Sequence, residues 1–159
     1  MRSFQVFASM TPERAVSMLR NLSQSVPAVF REAVDAAALS SKTRPVYLRR
    51  QPFERRAETV RRALSQVASN SMADEMLAVY FLECRKELLM EWLDFAGLAH
   101  EDGTLEEDMP GQPDEAVLGE AVTKFLGDDD PDRPLLLRSF AAQQAIDWPA
   151  LDALLDADS

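Results

Sequence analysis

Between Met72 and Ala96 the apolar residues recur at the helical period, and they do so twice. Leu77, Tyr80, Phe81, Cys84, Leu88, Trp92 and Phe95 form one stripe; Ala78, Leu82, Leu89, Leu93 and Ala96 form a second beside it. An apolar face this wide exceeds what a surface helix needs. The spacing therefore predicts one long helix over about 72–96, placed centrally, with other helices packed around it. Ser71 followed by Asp74 resembles a capping box that would open it, and Gly97 is placed to close it.

The rest of the chain is punctuated in the same way. Thr11-Pro12-Glu13 supplies an N-cap, a proline whose missing N–H costs nothing in the first turn, and a carboxylate at the positive end of the helix dipole, which predicts a helix from Pro12 to Leu22. Ser25 and Pro27 open a second helix through the alanine-rich FREAVDAAALS, and Pro52 opens a third. In that third helix Phe53, Ala57, Val60, Leu64, Val67 and Ala68 fall on one side, with Arg55, Arg61 and Arg62 on the other. TRPVYLRRQPF lacks a helical period and reads as a connector, extended at Val46 to Leu48. Further helices are expected from about Glu115 to Leu126, after Pro134, and after Asp147, where Trp148, Leu151, Leu154 and Leu155 share a face. Gly127 repeats the design of Gly97, an apolar helix ended by glycine before an acidic loop. The N-terminal SFQVFASM alternates like a strand and reads as an arm or a sheet-edge element. Few glycines among many Ala, Leu, Glu and Arg residues favour helix over sheet. The expected fold is a single all-α domain over 1–159, a bundle of six or seven mostly antiparallel helices.

Charge is distributed unevenly along this chain of net charge -10. Residues 1–72 hold 12 Lys+Arg against 5 Asp+Glu, whereas residues 73–159 hold 5 against 22. A basic N-terminal part and an acidic C-terminal part favour oriented association, with a partner or with a second copy. The one cysteine, Cys84, forms no intrachain disulfide and gives no sign of an oxidising compartment, so a cytoplasmic location is expected. The longest strongly apolar run, Leu77 to Leu82, is far short of the roughly 18 residues of a membrane span, and the start of the chain lacks the apolar region of a signal peptide. No membrane association is expected.

Three stretches carry chemistry worth weighing. AHEDGTLEED holds the only histidine, His100, followed by five carboxylates. With Gly103 at the sixth position of a calcium loop, Leu98 and Met109 would occupy ligand positions, so the pattern fails. One His and one Cys cannot build a common zinc site. Gly97 and Asp102-Gly103 instead read as a helix stop and a turn. A carboxylate site for magnesium or manganese, drawn from Asp102, Glu106 and Asp108 with Asp128, Asp129 and Asp130, is the basis of an alternative reading as a metal-dependent enzyme. The second stretch is the arginine tract Arg49, Arg50, Arg55, Arg56, Arg61 and Arg62, whose planar forks suit phosphates and carboxylates. Glu58 lies at ion-pair spacing from three of them, and the net charge opposes non-specific nucleic-acid binding. The tract is thus a candidate partner or polyanion surface with nucleic acid disfavoured. The third is LDALLDADS, which contains a docking-like L-x-x-L-L whose leucines equally suit a core-facing helix. No G-x-S-x-G, P-loop, G-x-G-x-x-G, H-E-x-x-H or C-x-x-C occurs, and no cofactor is expected. The leading expectation is a non-catalytic intracellular interaction or regulatory domain that works through a protein partner or self-association.

Overall fold

Proline at the first helical position opens α2 (Pro12–Ser25), α3 (Pro27–Ser40) and α4 (Pro45–Arg49), and Pro52 is the N-cap of α5 (Phe53–Leu64). These belong to a computed structural model that describes residues 1–157. Among the described residues the protein is all-α apart from one hairpin of two-residue strands. It divides into two compact units, Arg2–Cys84 and a second that begins at Arg85.

In the first unit the remaining elements are α1 (Ser3–Ser9), a short 3-10 turn (Val67–Ser69), α6 (Asn70–Val79) and a π turn (Tyr80–Cys84). Thr11 Oγ1 accepts from the Arg14 N–H at 3.2 Å, the cap its sequence implies. The buried face of α2, Ala15, Met18, Leu19 and Leu22, keeps the i, i+3, i+4, i+7 spacing and packs on α3 and α5. Alanines at 33, 37, 38, 57, 63 and 73 make up much of the core, and such small side chains let helix axes approach closely.

Four expectations are corrected here. The N-terminal stretch is helical, not a strand-like arm: Val6 and Phe7 are buried, and α1 is pinned to α6 by Ser3 Oγ donating to Asp74 (2.7 Å) and the Phe4 N–H donating to Asn70 Oδ1 (3.0 Å). Asp74, engaged with Ser3, does not form a capping box with Ser71, and α6 starts earlier, after Ser69. Val46 to Leu48 is a helical turn, α4, which brings Leu48 into the core. Most informative is the long helix. It widens into the π turn and breaks at Arg85 (φ -135°, ψ 44°) before α7 (Lys86–Phe95) begins. The wide apolar face is therefore two faces. Leu77, Tyr80 and Phe81 are buried in the first unit, and Leu88, Trp92 and Leu93 in the second.

The second unit holds α7, the hairpin strands β1 (His100–Glu101) and β2 (Thr104–Leu105), α8 (Glu115–Phe125), α9 (Asp132–Ala142) and α10 (Pro149–Ala157). Gly97 (φ 73°) ends α7 in a Schellman motif: its N–H bonds the Asp94 carbonyl (3.1 Å) and the Leu98 N–H the Leu93 carbonyl (2.9 Å). Gly127 does not share that design, because α8 closes without a left-handed residue there. Lys42 takes the left-handed position after α3 instead (φ 58°), with the same pair of bonds, to Leu39 and Ala38. The core is aromatic. Trp92 meets Phe125 (5.6 Å between centroids) and Phe140 (5.7 Å), and Phe140 meets Trp148 (5.1 Å). Trp148 Nε1 donates to the Pro110 carbonyl at 2.9 Å, which ties the acidic loop to α10. Leu151 is fully buried and α10 packs on α8 and α9, so the L-x-x-L-L stretch covers the core of its own unit. Among the described residues no helix is long and apolar enough to cross a membrane.

Candidate functional site

The hairpin around His100 is built by its turn. Asp102 (φ 54°) and Gly103 (φ 93°) both have the positive φ that a two-residue type I′ connection requires, and Glu101 pairs with Thr104 across it. His100 Nδ1 accepts from the Gly103 N–H at 3.1 Å, and Nε2 lies 2.7 Å from Asp94 Oδ1. A ring nitrogen that accepts a backbone bond carries no proton, so Nε2 is the donor to Asp94. Both nitrogens are thus occupied in holding the turn to α7.

The acidic residues go to different cations. Asp102 pairs with Lys86 Nζ at 3.0 Å. Asp130 and Asp132 both bind the Arg85 guanidinium, Asp130 Oδ2 at 2.7 Å, and the Asp132 N–H bonds Asp130 Oδ1 at 3.0 Å. The Arg85 bond holds the Asp130 carboxyl below the usual carboxylate range, and the Asp130 bond in turn raises the Arg85 pKa. Asp128 lies 3.7 Å from Arg133. Glu106, Asp108 and Asp129 are exposed. Among the described residues, no group of three or more His, Cys, Asp or Glu side chains is placed to hold a metal ion.

Arg133 is the most buried cation. Its Nη1 donates to the Phe125 carbonyl (2.6 Å), its Nη2 to Glu91 (2.9 Å), and its guanidinium stacks over Phe125 at 4.8 Å. Nothing in sequence spacing distinguishes Arg85 and Arg133 as these anchors, because their partners lie about forty residues away.

The arginine tract does not form one stripe. Successive residues on a helix point about 100° apart, so neighbours separate. Arg55 and Arg62 line a groove of about 300 Å³ over α3, α4 and α5, with Ser41, Thr43, Tyr47 and Gln51 on its walls. Arg49 and Arg56 line a different hollow of about 420 Å³ with Arg31 and Ser23. Arg61 and Arg62 share Glu58, whose carboxyl the Arg61 bond, then the Arg62 bond, lower to about 2. Arg50 lines neither.

The 300 Å³ groove is polar because α5 presents Arg55, Thr59 and Arg62 in one row, continued by Gln66 beyond the helix. That row keeps the same i, i+4, i+7 spacing as the buried stripe. A search for polar rather than apolar periodicity is the signal that finds it. The facing residues come from the end of α3 and from α4, which sequence reading treats as a connector. Beside the groove Leu39, Val46 and Tyr47 are exposed. Among the described residues Arg55 has no carboxylate partner, while Arg62 has half of one. Compared with protein-family models, with curated proteins and with solved structures, the chain matches none.

Proposed function

We propose that this protein is a non-catalytic helical interaction domain that holds an acidic segment of a partner protein in the groove over α3, α4 and α5. The observation that carries this reading is the pairing of Arg55 with Arg62 on one row of α5, opposite hydroxyl and amide groups rather than carboxylates. A guanidinium left without an internal acid gains charge-assisted hydrogen bonds when a carboxylate arrives, and its planar fork fixes the orientation of that acid. Tyr47, exposed on the groove wall, adds flat amphipathic area of the kind enriched at binding surfaces. The unit also carries net positive charge, 12 Lys+Arg against 8 Asp+Glu, which speeds encounter with an acidic partner.

The test is fluorescence anisotropy with a short dye-labelled peptide rich in Asp and Glu. Binding at low salt that weakens as salt rises, and that falls at least tenfold in Arg55→Glu/Arg62→Glu but not in Arg50→Glu, is the expected result. Absence of binding at low salt, or equal binding by all three proteins, would remove the reading.

A further inference from the structure

We infer that the hollow between α2, α3, α4 and α5, lined by Ser23, Arg31, Arg49 and Arg56, is a binding site for a phosphate monoester. It is separate from the groove above and does not rest on that reading. Three guanidiniums reach this one hollow, from three different helices or their ends. Arg49 gives its Nε and Nη2 to Asp35, so one of the three charges is matched. Among the described residues Arg31 has no hydrogen-bonded acid, and the two acids nearest Arg56 in sequence are engaged elsewhere, Glu54 with Arg20 at 3.0 Å and Glu58 with Arg61 and Arg62. The site therefore holds an excess of positive charge.

Arg56 points most directly to a ligand. Its Nε is buried and has no hydrogen-bond partner. An unmet donor of this kind costs free energy in the folded molecule; Nε itself is closed off from solvent, so a ligand in the hollow would be met by the outer Nη groups. The side chain is also held in place. Its guanidinium carbon lies 5.7 Å from the Phe30 ring and 5.8 Å from the Phe53 ring, the two rings are 5.6 Å apart, and Arg20 covers Phe53 from 4.4 Å. A cation stacked in this way is oriented before any ligand binds, so less entropy is lost on binding.

The shape selects the class of anion. Phe30 and Val34 in the hollow are 3% and 1% exposed, so neither side chain offers a ligand much apolar contact. Recognition falls on the anion itself: the guanidiniums of Arg31 and Arg56, with the Nη1 that Arg49 does not give to Asp35, supply donors for the three terminal oxygens of a doubly charged phosphate, one more than a carboxylate offers. A volume of about 420 Å³ exceeds that of a bare phosphate and leaves room for the group that carries it.

Isothermal titration of the whole chain with O-phosphoserine, glucose 6-phosphate, inorganic phosphate and acetate tests this. Both esters should bind, with acetate at least tenfold weaker, and Arg31→Gln/Arg56→Gln should lower ester affinity at least tenfold while Arg55→Glu/Arg62→Glu leaves it unchanged. Tighter binding of phosphoserine assigns the site to a phosphorylated side chain, and tighter binding of the sugar ester to a free metabolite; either supports the site. If the double variant does not fold, Arg31→Gln alone, at an exposed side chain, should still weaken ester binding several-fold. Equal binding of acetate, binding of inorganic phosphate but neither ester, or esters indifferent to Arg31 and Arg56 would overturn the inference.

Discussion

Arginine has opposite roles in the two units. In the unit that begins at Arg85 the prominent arginines are absorbed: Arg85 gathers Glu87, Asp130 and Asp132, and Arg133 is buried against Phe125 with Glu91. In Arg2–Cys84 arginines are displayed. Arg31, Arg50 and Arg55 are exposed without hydrogen-bonded acids among the described residues, and two hollows are lined by guanidiniums. The cores differ to match. Alanine-spaced helices leave their charged faces outward, whereas an aromatic core at Trp92, Phe125, Phe140 and Trp148 is closed by cations drawn inward. Net charge alone hides this. The acidic unit engages Arg85, Lys86 and Arg133 with its own carbonyls and carboxylates, and the basic unit leaves several arginines without hydrogen-bonded acids among the described residues.

The largest expected effect sits in the aromatic core. Trp92→Ala should destabilise the unit from Arg85 by about 3–5 kcal/mol in urea denaturation, by lost transfer free energy plus the cavity left behind. A loss below about 1 kcal/mol would show that the aromatic cluster is not what closes this core.

Next comes the contrast between arginines. Arg133→Met leaves the buried Phe125 carbonyl and the part-exposed Glu91 without their donor and should cost roughly 1–3 kcal/mol, chiefly through the stranded carbonyl and lost packing. Arg55→Met should change stability by less than about 0.5 kcal/mol, as an exposed side chain with no partner to strand. Equal costs would break the comparison.

A smaller effect depends on pH. Glu58 has a folded pKa lowered from 4.5 to about 2 by Arg61 and Arg62, so its contribution to stability is present above pH 4.5 and is lost as pH falls toward 2. The carboxylate is one-third exposed, and solvent screening reduces that contribution to about 1 kcal/mol or less. Glu58→Gln should therefore be less stable than the wild type at pH 7 and equal to it near pH 2, in urea melts across that range. A gap that stays constant with pH would assign the effect to packing. Asp130, whose pKa Arg85 lowers, should give the second unit an acid sensitivity of the same sign.

The smallest effect is a gain. Lys42 occupies a left-handed position that costs a residue with a Cβ about 1 kcal/mol or more, so Lys42→Gly should raise the melting temperature slightly. A lower melting temperature would mean that the lysine side chain contributes more than the backbone strain costs.

Local chemistry determined a great deal of this protein. Pro12, Pro27 and Pro52 mark helix starts because a proline ring is preset for the first turn, and Gly97 and Asp102-Gly103 mark a stop and a reversal because they tolerate positive φ. The all-α class follows from those signals and from the 3.6-residue spacing of apolar positions. Tertiary structure decided the rest. The stripe from Leu77 to Phe95 satisfies one long helix as well as two short ones, and the break falls at Arg85, whose partners Asp130 and Asp132 lie forty-five and forty-seven residues further along the chain. Six arginines in fourteen residues look alike in sequence; the division of four of them between two hollows depends on where α3 and α4 place Asp35, Tyr47 and Phe30. Periodicity reports which residues share a face of one element, but a site is made where faces of several elements meet, and that pairing is carried by contacts between residues far apart along the chain.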